Sequence, residues 1–143
     1  MAMKTLGTLI KLQKSLVDEQ RRMLTDLQNI LDRIDHEIVE LTVAQAREEG
    51  VVRDAEPVAR QTFSLFIMTV KARLERLMAA KQQAVEEVEK AREKLAELFE
   101  AQKRYEIISE QREAAALAEE NRQEQMELDE TAAQGHQRRK REE

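Results

Sequence analysis

The stretch GVVRDAEP at residues 50–57 decides the fold of this chain, because it begins and ends with residues that disfavour a helix. Apart from Gly7, Gly50 and Pro57 are the only glycine and proline in the first 134 residues. On both sides of this stretch, apolar residues recur in an unbroken heptad pattern, which is typical of coiled-coil helices. The pattern predicts an all-α fold: a long antiparallel two-helix coiled-coil hairpin with its turn in this stretch.

The composition agrees with a coiled coil and excludes several classes of protein. Of 143 residues, 37% are charged and only 3% are aromatic, as in long helices. Disorder is disfavoured because the hydrophobic fraction, 41%, is high and regularly spaced. The absence of cysteine excludes disulfides and thiolate chemistry. A net charge of −5 argues against nucleic acid as a partner, since binding to phosphates needs a basic face.

The first helix is predicted from an apolar seam that begins at Leu6 and proceeds in alternating steps of four and three residues. Nine of its twelve positions are apolar. The seam consists of Leu6, Ile10, Gln13, Val17, Gln20, Leu24, Leu27, Leu31, Ile34, Ile38, Leu41 and Gln45. A flanking stripe widens it at Leu9, Leu16, Met23 and Ile30. So broad a stripe indicates packing against more than a minimal partner, or packing on its partner with an offset.

The second helix carries a matching seam. It consists of Phe63, Ile67, Val70, Leu74, Leu77, Lys81, Ala84, Val88, Ala91, Leu95, Leu98, Gln102 and Tyr105. We expect one coiled-coil domain over 1–143, with helices at 3–48 and 55–133, a turn at 49–56 and a disordered tail at 134–143. Asp54 is the predicted N-cap of the second helix, and Pro57 is expected in its first turn, where the missing N–H costs nothing.

The register is predicted by closing the hairpin about residue 52. Leu41 then lies opposite Phe63, and Gln20 lies near Ala84. Each buried aliphatic side chain contributes ~1.5–3 kcal/mol, so the two seams can hold one chain together as a monomer. The second seam decays after Tyr105, and this predicts a single-helix C-terminal overhang.

The overhang reads EQREAAALAEENRQEQMELDE at residues 110–130, with eight acids and two bases. One interpretation is a solvated helix in which alanine serves only helix propensity. The other is a docking helix, whose alanines let a partner backbone approach while Asn121 and Arg122 form directed hydrogen bonds.

Two motifs resemble the FliJ family, the small coiled-coil component of the bacterial flagellar type III export apparatus. The first is A-A-A-L-x-x-E-N-R-x-x-Q at residues 114–125, followed by Asp129 and Glu130. The second is the aromatic-x-x-F-I-x-T-aliphatic run at residues 63–70. The resemblance covers roughly residues 60–132, and the first helix matches only in length and heptad character. One departure is Arg73, where the family can have a small residue.

The resemblance implies a stalk similar to the central coiled coil of rotary ATPases. Its paired termini would enter a hexameric export ATPase and promote its assembly and activity, and its turn would reach the export-gate membrane protein. Export chaperones are further implied partners. The resemblance assigns gate binding to Phe66, Ile67 and Val70. It assigns ATPase binding to Leu117, Asn121, Arg122 and Gln125. The implied location is the cytoplasm, peripheral to the inner membrane at the flagellar base, in a role serving motility and chemotaxis.

Alternatives remain open at this level. Phe66 could instead cap the hairpin by packing on Ile38 or Leu41. The protein could be an export chaperone or chaperone-recycling factor, using a groove left by the wide stripe, or the equivalent stalk of a virulence type III secretion system. We expect no enzyme, catalytic residue, cofactor, metal or small-molecule ligand, because His36 and His136 stand alone and no glycine-rich phosphate loop occurs. The amino terminus lacks the apolar block of a signal peptide.

Overall fold

Two long helices make up the fold. A computed structural model describes the backbone of residues 2–54 and 56–142 and the side chains of residues 5–54 and 56–142. Helix α1 spans Ala2–Val52 and helix α2 spans Pro57–Glu142. Contacts of α1 residues 20 and 37 with α2 residues 91 and 73 make the pair antiparallel. The predicted all-α hairpin is therefore confirmed.

The helices group into two compact units. One consists of Ser15–Leu98 and contains most of the hairpin with its turn. The other consists of Met1–Lys14 together with Phe99–Glu143. In this second unit, Leu6 is buried and Tyr105 is half-buried, whereas every residue of 110–142 is exposed. Within this second unit, the covered part of α2 therefore ends at about residue 109.

The helices extend beyond the bounds that the sequence predicts. Helix α1 continues through Gly50 to Val52 without a positive φ angle, since a glycine inside a helix costs only ~1 kcal/mol relative to alanine. Helix α2 includes residues 134–142, for which the sequence predicted disorder. Its last turn holds Arg139, Lys140 and Arg141, whose charges interact favourably with the helix dipole. The predicted first residue of the second helix, 55, and the last residue of the predicted tail, 143, lie outside the described residues.

The start of α2 differs from the prediction in its capping residue. Pro57 is the first helical residue, as expected for a proline at this position. The Arg60 amide donates to the Glu56 carbonyl oxygen at 3.1 Å. Glu56 therefore occupies the N-cap position, and the prediction of Asp54 as the N-cap is wrong. The physical reason is that proline fixes the φ angle of the first helical residue and so sets the cap one residue before it.

Both seams lie at the helix interface. Within Ser15–Leu98, the most buried apolar residues are Val17, Val70, Ala84, Val88 and Ala91. All positions of the two seams are buried or half-buried. These buried or half-buried positions include every residue that the sequence predicted for the core: Ile10, Val17, Leu24, Leu27, Leu31, Ile34, Ile38, Leu41, Phe63, Leu74, Leu77, Val88, Leu95 and Leu98. The flanking stripe is less covered, since Leu9 and Leu16 are half-buried while Met23 and Ile30 are exposed.

The predicted register is wrong by one heptad. Gln20, expected near Ala84, donates from its amide Nε2 to the Ala91 carbonyl oxygen at 3.2 Å. The guanidinium of Arg73 lies 3.3 Å from the carboxylate of Glu37. The shift follows from the longer α1, which moves the turn towards Pro57. A displacement of seven residues buries the same seams, so the heptad pattern alone does not distinguish the two registers.

Polar seam residues differ in how well they are satisfied. Gln20 is 5% exposed and uses its amide in the hydrogen bond to Ala91. The buried oxygens Oε1 of Gln13 and Gln102 have no hydrogen-bond partner among the described residues. An unsatisfied buried acceptor costs about 1–3 kcal/mol, whereas a satisfied one adds about 1 kcal/mol. Gln20 therefore helps to fix the register, while Gln13 and Gln102 weaken the seam.

We predict that Gln102→Leu stabilises the protein by about 1 kcal/mol, because it removes an unsatisfied acceptor from an apolar seam. Val88→Ala should destabilise it by about 2 kcal/mol, since buried methyl groups are lost. Chemical denaturation followed by circular dichroism measures both changes. A Gln102→Leu variant less stable than the parent protein would contradict this account of the seam.

Candidate functional site

The turn end of the Ser15–Leu98 unit carries a shallow apolar groove, here called the tip groove. Its volume is about 430 Å³, and its lining includes Val51, Val52, Ala59, Phe63 and Phe66. The end of α1 and the start of α2 both contribute, because the short turn brings them side by side. The groove is therefore a surface formed by the hairpin and absent from either helix alone.

Two aromatic rings form one wall of the tip groove. Phe63 is half-buried in the seam, and the centroid of its ring lies 6.3 Å from that of Phe66, with the ring planes tilted by 34°. This geometry falls in the range of favourable aromatic pairs. Phe66 remains 37% exposed, so it packs on the core residue Phe63 and also offers part of its ring to a partner.

The other two residues with a predicted role in gate binding lie in the seam. Val70 is only 4% exposed, and Ile67 is half-buried. Both occupy heptad positions that face α1. Val70 therefore supports the turn end by holding the helices together, and of the three residues only Phe66 presents an exposed surface.

Exposed apolar residues on the outer face of α2 were missed by the sequence interpretation. Val58, Leu65 and Met68 are each about two-thirds or more exposed. The signal was present in the segment FSLFIMTV at residues 63–70, in which six of eight residues are apolar. A seam needs only two apolar residues in seven, so this excess indicates an additional surface.

The C-terminal part of α2 carries the second candidate surface, here called the C-terminal face. It contains Leu117, Asn121, Arg122 and Gln125, all of which are exposed. Leu117, Asn121 and Leu128 follow at intervals of four and seven residues, which places them on one side of the helix. Of the four residues to which the family resemblance assigns ATPase binding, Leu117, Asn121 and Gln125 share this side, whereas Arg122 lies about 140° around the helix axis from Leu117.

Arg122 is held in place by its neighbours on the C-terminal face. Its Nη2 and Nε donate to the two carboxylate oxygens of Glu119 at 2.7 and 3.1 Å, and Nη1 lies 3.5 Å from the sulfur of Met126. Gln125 similarly donates to a carboxylate oxygen of Asp129 at 3.2 Å. A bidentate pair limits the rotamers of Arg122, so its remaining donors point in a defined direction.

The ion pair between Glu119 and Arg122 shifts the pKa of each side chain. The Arg122 guanidinium holds the pKa of the Glu119 carboxyl below its ordinary value of 4.5, and this effect outweighs the opposing effect of desolvation. The same contact raises the pKa of Arg122. Both side chains are solvent-exposed, so this pair orients Arg122 more than it stabilises the protein.

Other kinds of site have no counterpart in the described part of the chain. Within residues 2–54 and 56–142, no group of three or more metal-ligating side chains comes together. No helix in these ranges has a stretch long and apolar enough to cross a membrane. His36 pairs only with Glu40, at 3.0 Å on the exposed surface. The exposed tip groove and C-terminal face are both suited to contact with other proteins.

Comparison with known protein families decides the identity. The family model described as Flagellar FliJ protein matches residues 3–141. The chain belongs to the flagellar FliJ protein family. The FliJ match includes α1, which the two sequence motifs did not cover. No curated protein and no solved structure matches the chain significantly. FliJ proteins are structural, chaperone-like components of flagellar protein export, so this chain is a component of the flagellar export apparatus. The family is not known for enzymatic activity.

The two phenylalanines should differ in their effect on stability. We predict that Phe63→Ala lowers the free energy of unfolding by about 3 kcal/mol, because it leaves a cavity in the seam. Phe66→Ala should cost about 1 kcal/mol, mainly the loss of the ring pair. Denaturant titration of both variants measures the difference. Equal losses would show that Phe66 is a core residue and would remove it from the exposed surface.

The Glu119 carboxyl should titrate below pH 4.5 in the full-length protein. Because its folded pKa is below the unfolded value, the pair stabilises the helix above the unfolded pKa, and this contribution is lost as the pH falls through the folded pKa. In Arg122→Gln, the titration midpoint should rise towards 4.5. Carbon NMR of the carboxyl group measures both midpoints, and identical values in the two proteins would contradict the ion pair.

Proposed function

We propose that this FliJ-family protein is a central stalk that binds the hexameric export ATPase through the C-terminal face and the export-gate membrane protein through the tip groove. Binding to the ATPase would promote its assembly and activity, and binding to the gate would couple hydrolysis to export. The proposal includes a monomeric protein in isolation and a cytoplasmic location at the inner face of the flagellar base.

The exposure of the C-terminal face carries the proposal. Every residue of 110–142 is exposed, yet the segment contains Leu117, Met126 and Leu128 as well as the family motif. A helix without a packed face gains little stability from its own hydrogen bonds in water, because most helix stability in proteins comes from tertiary packing. A partner that covers Leu117 and Leu128 and accepts hydrogen bonds from Asn121 would supply that packing.

The tip groove supports the second contact. Phe66 combines a fixed position against Phe63 with a partly exposed ring, and aromatic anchors of this kind dominate many protein interfaces. Val51 and Val52 extend the same apolar surface onto α1. Both candidate surfaces include residues of α2, an unbroken helix, so one secondary-structure element belongs to both contacts.

Separate losses at the two surfaces test the proposal. Asn121→Ala combined with Arg122→Ala should lower stimulation of the cognate export ATPase by about tenfold, because two directed contacts of about 0.7 kcal/mol each are lost. The same double variant should leave gate binding unchanged. Phe66→Ala combined with Val51→Ala should weaken gate binding and leave ATPase stimulation unchanged. Hydrolysis assays at limiting ATPase concentration and binding assays with the cytoplasmic region of the gate give the two measurements.

Met78→Ala serves as the matched control, because Met78 is an exposed apolar residue of α2 outside both surfaces. It should change neither activity. If the wild-type protein leaves ATPase activity and hexamer yield unchanged, the ATPase part of the proposal is wrong. If each double variant impairs both activities equally, the assignment of one partner to each surface is wrong.

A further inference from the structure

A second apolar groove lies along one edge of the hairpin and belongs to neither surface described above. This edge groove, within the Ser15–Leu98 unit, has a volume of about 340 Å³. Met23 and Leu27 line it on α1, and Ala91 lines it on α2. Met23 is 50% exposed, although it lies beside a seam that is otherwise covered.

Two features of the sequence create the edge groove. The first is the small side chain of Ala91, which leaves space at a position where most seam residues are larger. Gln20 forms part of the floor and is fixed there by its hydrogen bond to the Ala91 carbonyl. The second is the flanking stripe of α1, in which Leu16, Met23 and Ile30 recur every seven residues. A two-helix pair needs only its seam, so this stripe is available for a third helix.

The two rims of the groove carry opposite charges. On α2, Lys90 and Lys94 lie one helical turn apart on the lining, next to a single acid, Glu87. On α1, the charged residues Glu19, Arg22 and Asp26 line an adjoining hollow of about 430 Å³ that shares Met23 with the edge groove. The α1 rim is therefore acidic by one net charge, and the α2 rim is basic by one net charge. Among the described residues, no ion pair involves either lysine or either of these two α1 acids. Their charges are therefore available to a partner.

We propose that the edge groove binds one amphipathic α-helix of a partner protein. The apolar face of that helix would cover Met23 and Ala91. Its acidic flank would face Lys90 and Lys94, and its basic flank would face Glu19 and Asp26. The proposal does not depend on ATPase or gate binding.

A helix fits the groove better than an extended peptide. The groove runs between two antiparallel helices that lie side by side. The two lysines on α2 are four residues apart and the two acids on α1 are seven residues apart, and both spacings match the repeat of a third helix. Residues 2–54 and 56–142 contain no strand, so this part of the chain offers no sheet edge to which an extended peptide could add. Met23 can adapt to the side chains it meets because its thioether side chain is flexible and polarisable.

The probe is a synthetic helical peptide with a leucine stripe, glutamates along one flank and lysines along the other. A second peptide keeps the leucine stripe and carries glutamates along both flanks, so that in either direction one acidic flank faces Glu19 and Asp26. Fluorescence anisotropy with the full-length protein should show binding of the first peptide and at least about fivefold weaker binding of the second, from two or more exposed ion pairs. Met23→Glu should weaken binding of the first peptide on the order of thirtyfold, as for a central interface residue.

Two controls separate binding from folding. Met78→Glu places the same charge at a methionine of similar exposure outside the edge groove, and it should leave binding unchanged. Lys90→Glu combined with Lys94→Glu should weaken binding of a peptide with a glutamate flank facing α2. The double variant should recover binding when that flank is changed to lysine. A misfolded variant would not recover.

Three results would overturn the proposal. The first is no binding of either peptide, and the second is an equal loss in Met23→Glu and Met78→Glu. The third is a concentration-dependent dimer, seen by sedimentation, that Met23→Glu abolishes. This last result would show that the edge groove is occupied by a second copy of the chain.

Discussion

Mutual burial of the two heptad seams is the interaction on which the rest of the structure depends. Helix α1 has no other apolar surface of comparable length, and a long charged helix is marginally stable unless an apolar face is packed. Within each of the two compact units, both helices have buried or half-buried residues. Ion pairs such as Lys81–Asp35, at 2.8 Å, have half-exposed side chains and add little to stability. The hairpin is therefore held by apolar contacts, and its other surfaces remain available for partners.

The sequence predicted which residues lie in the two seams, but not which residues of one seam face which residues of the other. The heptad pattern identified every seam position, because burial depends only on the position of a residue within the repeat. A shift of seven residues leaves those positions unchanged, so Gln20 pairs with Ala91 rather than Ala84. The information that decides the register lies in the turn, where Gly50 stays helical and Pro57 starts α2. Glycine has a low helix propensity, but one glycine costs only ~1 kcal/mol, so α1 continues through Gly50.

The candidate surfaces were only partly predictable for a similar reason. The family motif located the C-terminal face, but the bidentate contact of Arg122 with Glu119 depends on side-chain geometry. At the turn end, the motif grouped Phe66 with Val70, although burial separates an exposed ring from a seam residue. The edge groove depends on the small size of Ala91 at one point of the correct register. No pattern in a single helix contains that information.

The register is the most direct test of the paired seams, and it can be measured with cysteine pairs because the natural chain contains no cysteine. A short bismaleimide cross-linker should join Glu37→Cys to Arg73→Cys within one chain, since their side chains are in contact. The same reagent should fail to join Ile30→Cys to Arg73→Cys. Ile30 lies one heptad before Glu37, so it is about 10 Å further along α1 from the contact with Arg73. Efficient linkage of the second pair, or linkage only between separate chains, would contradict the hairpin as described.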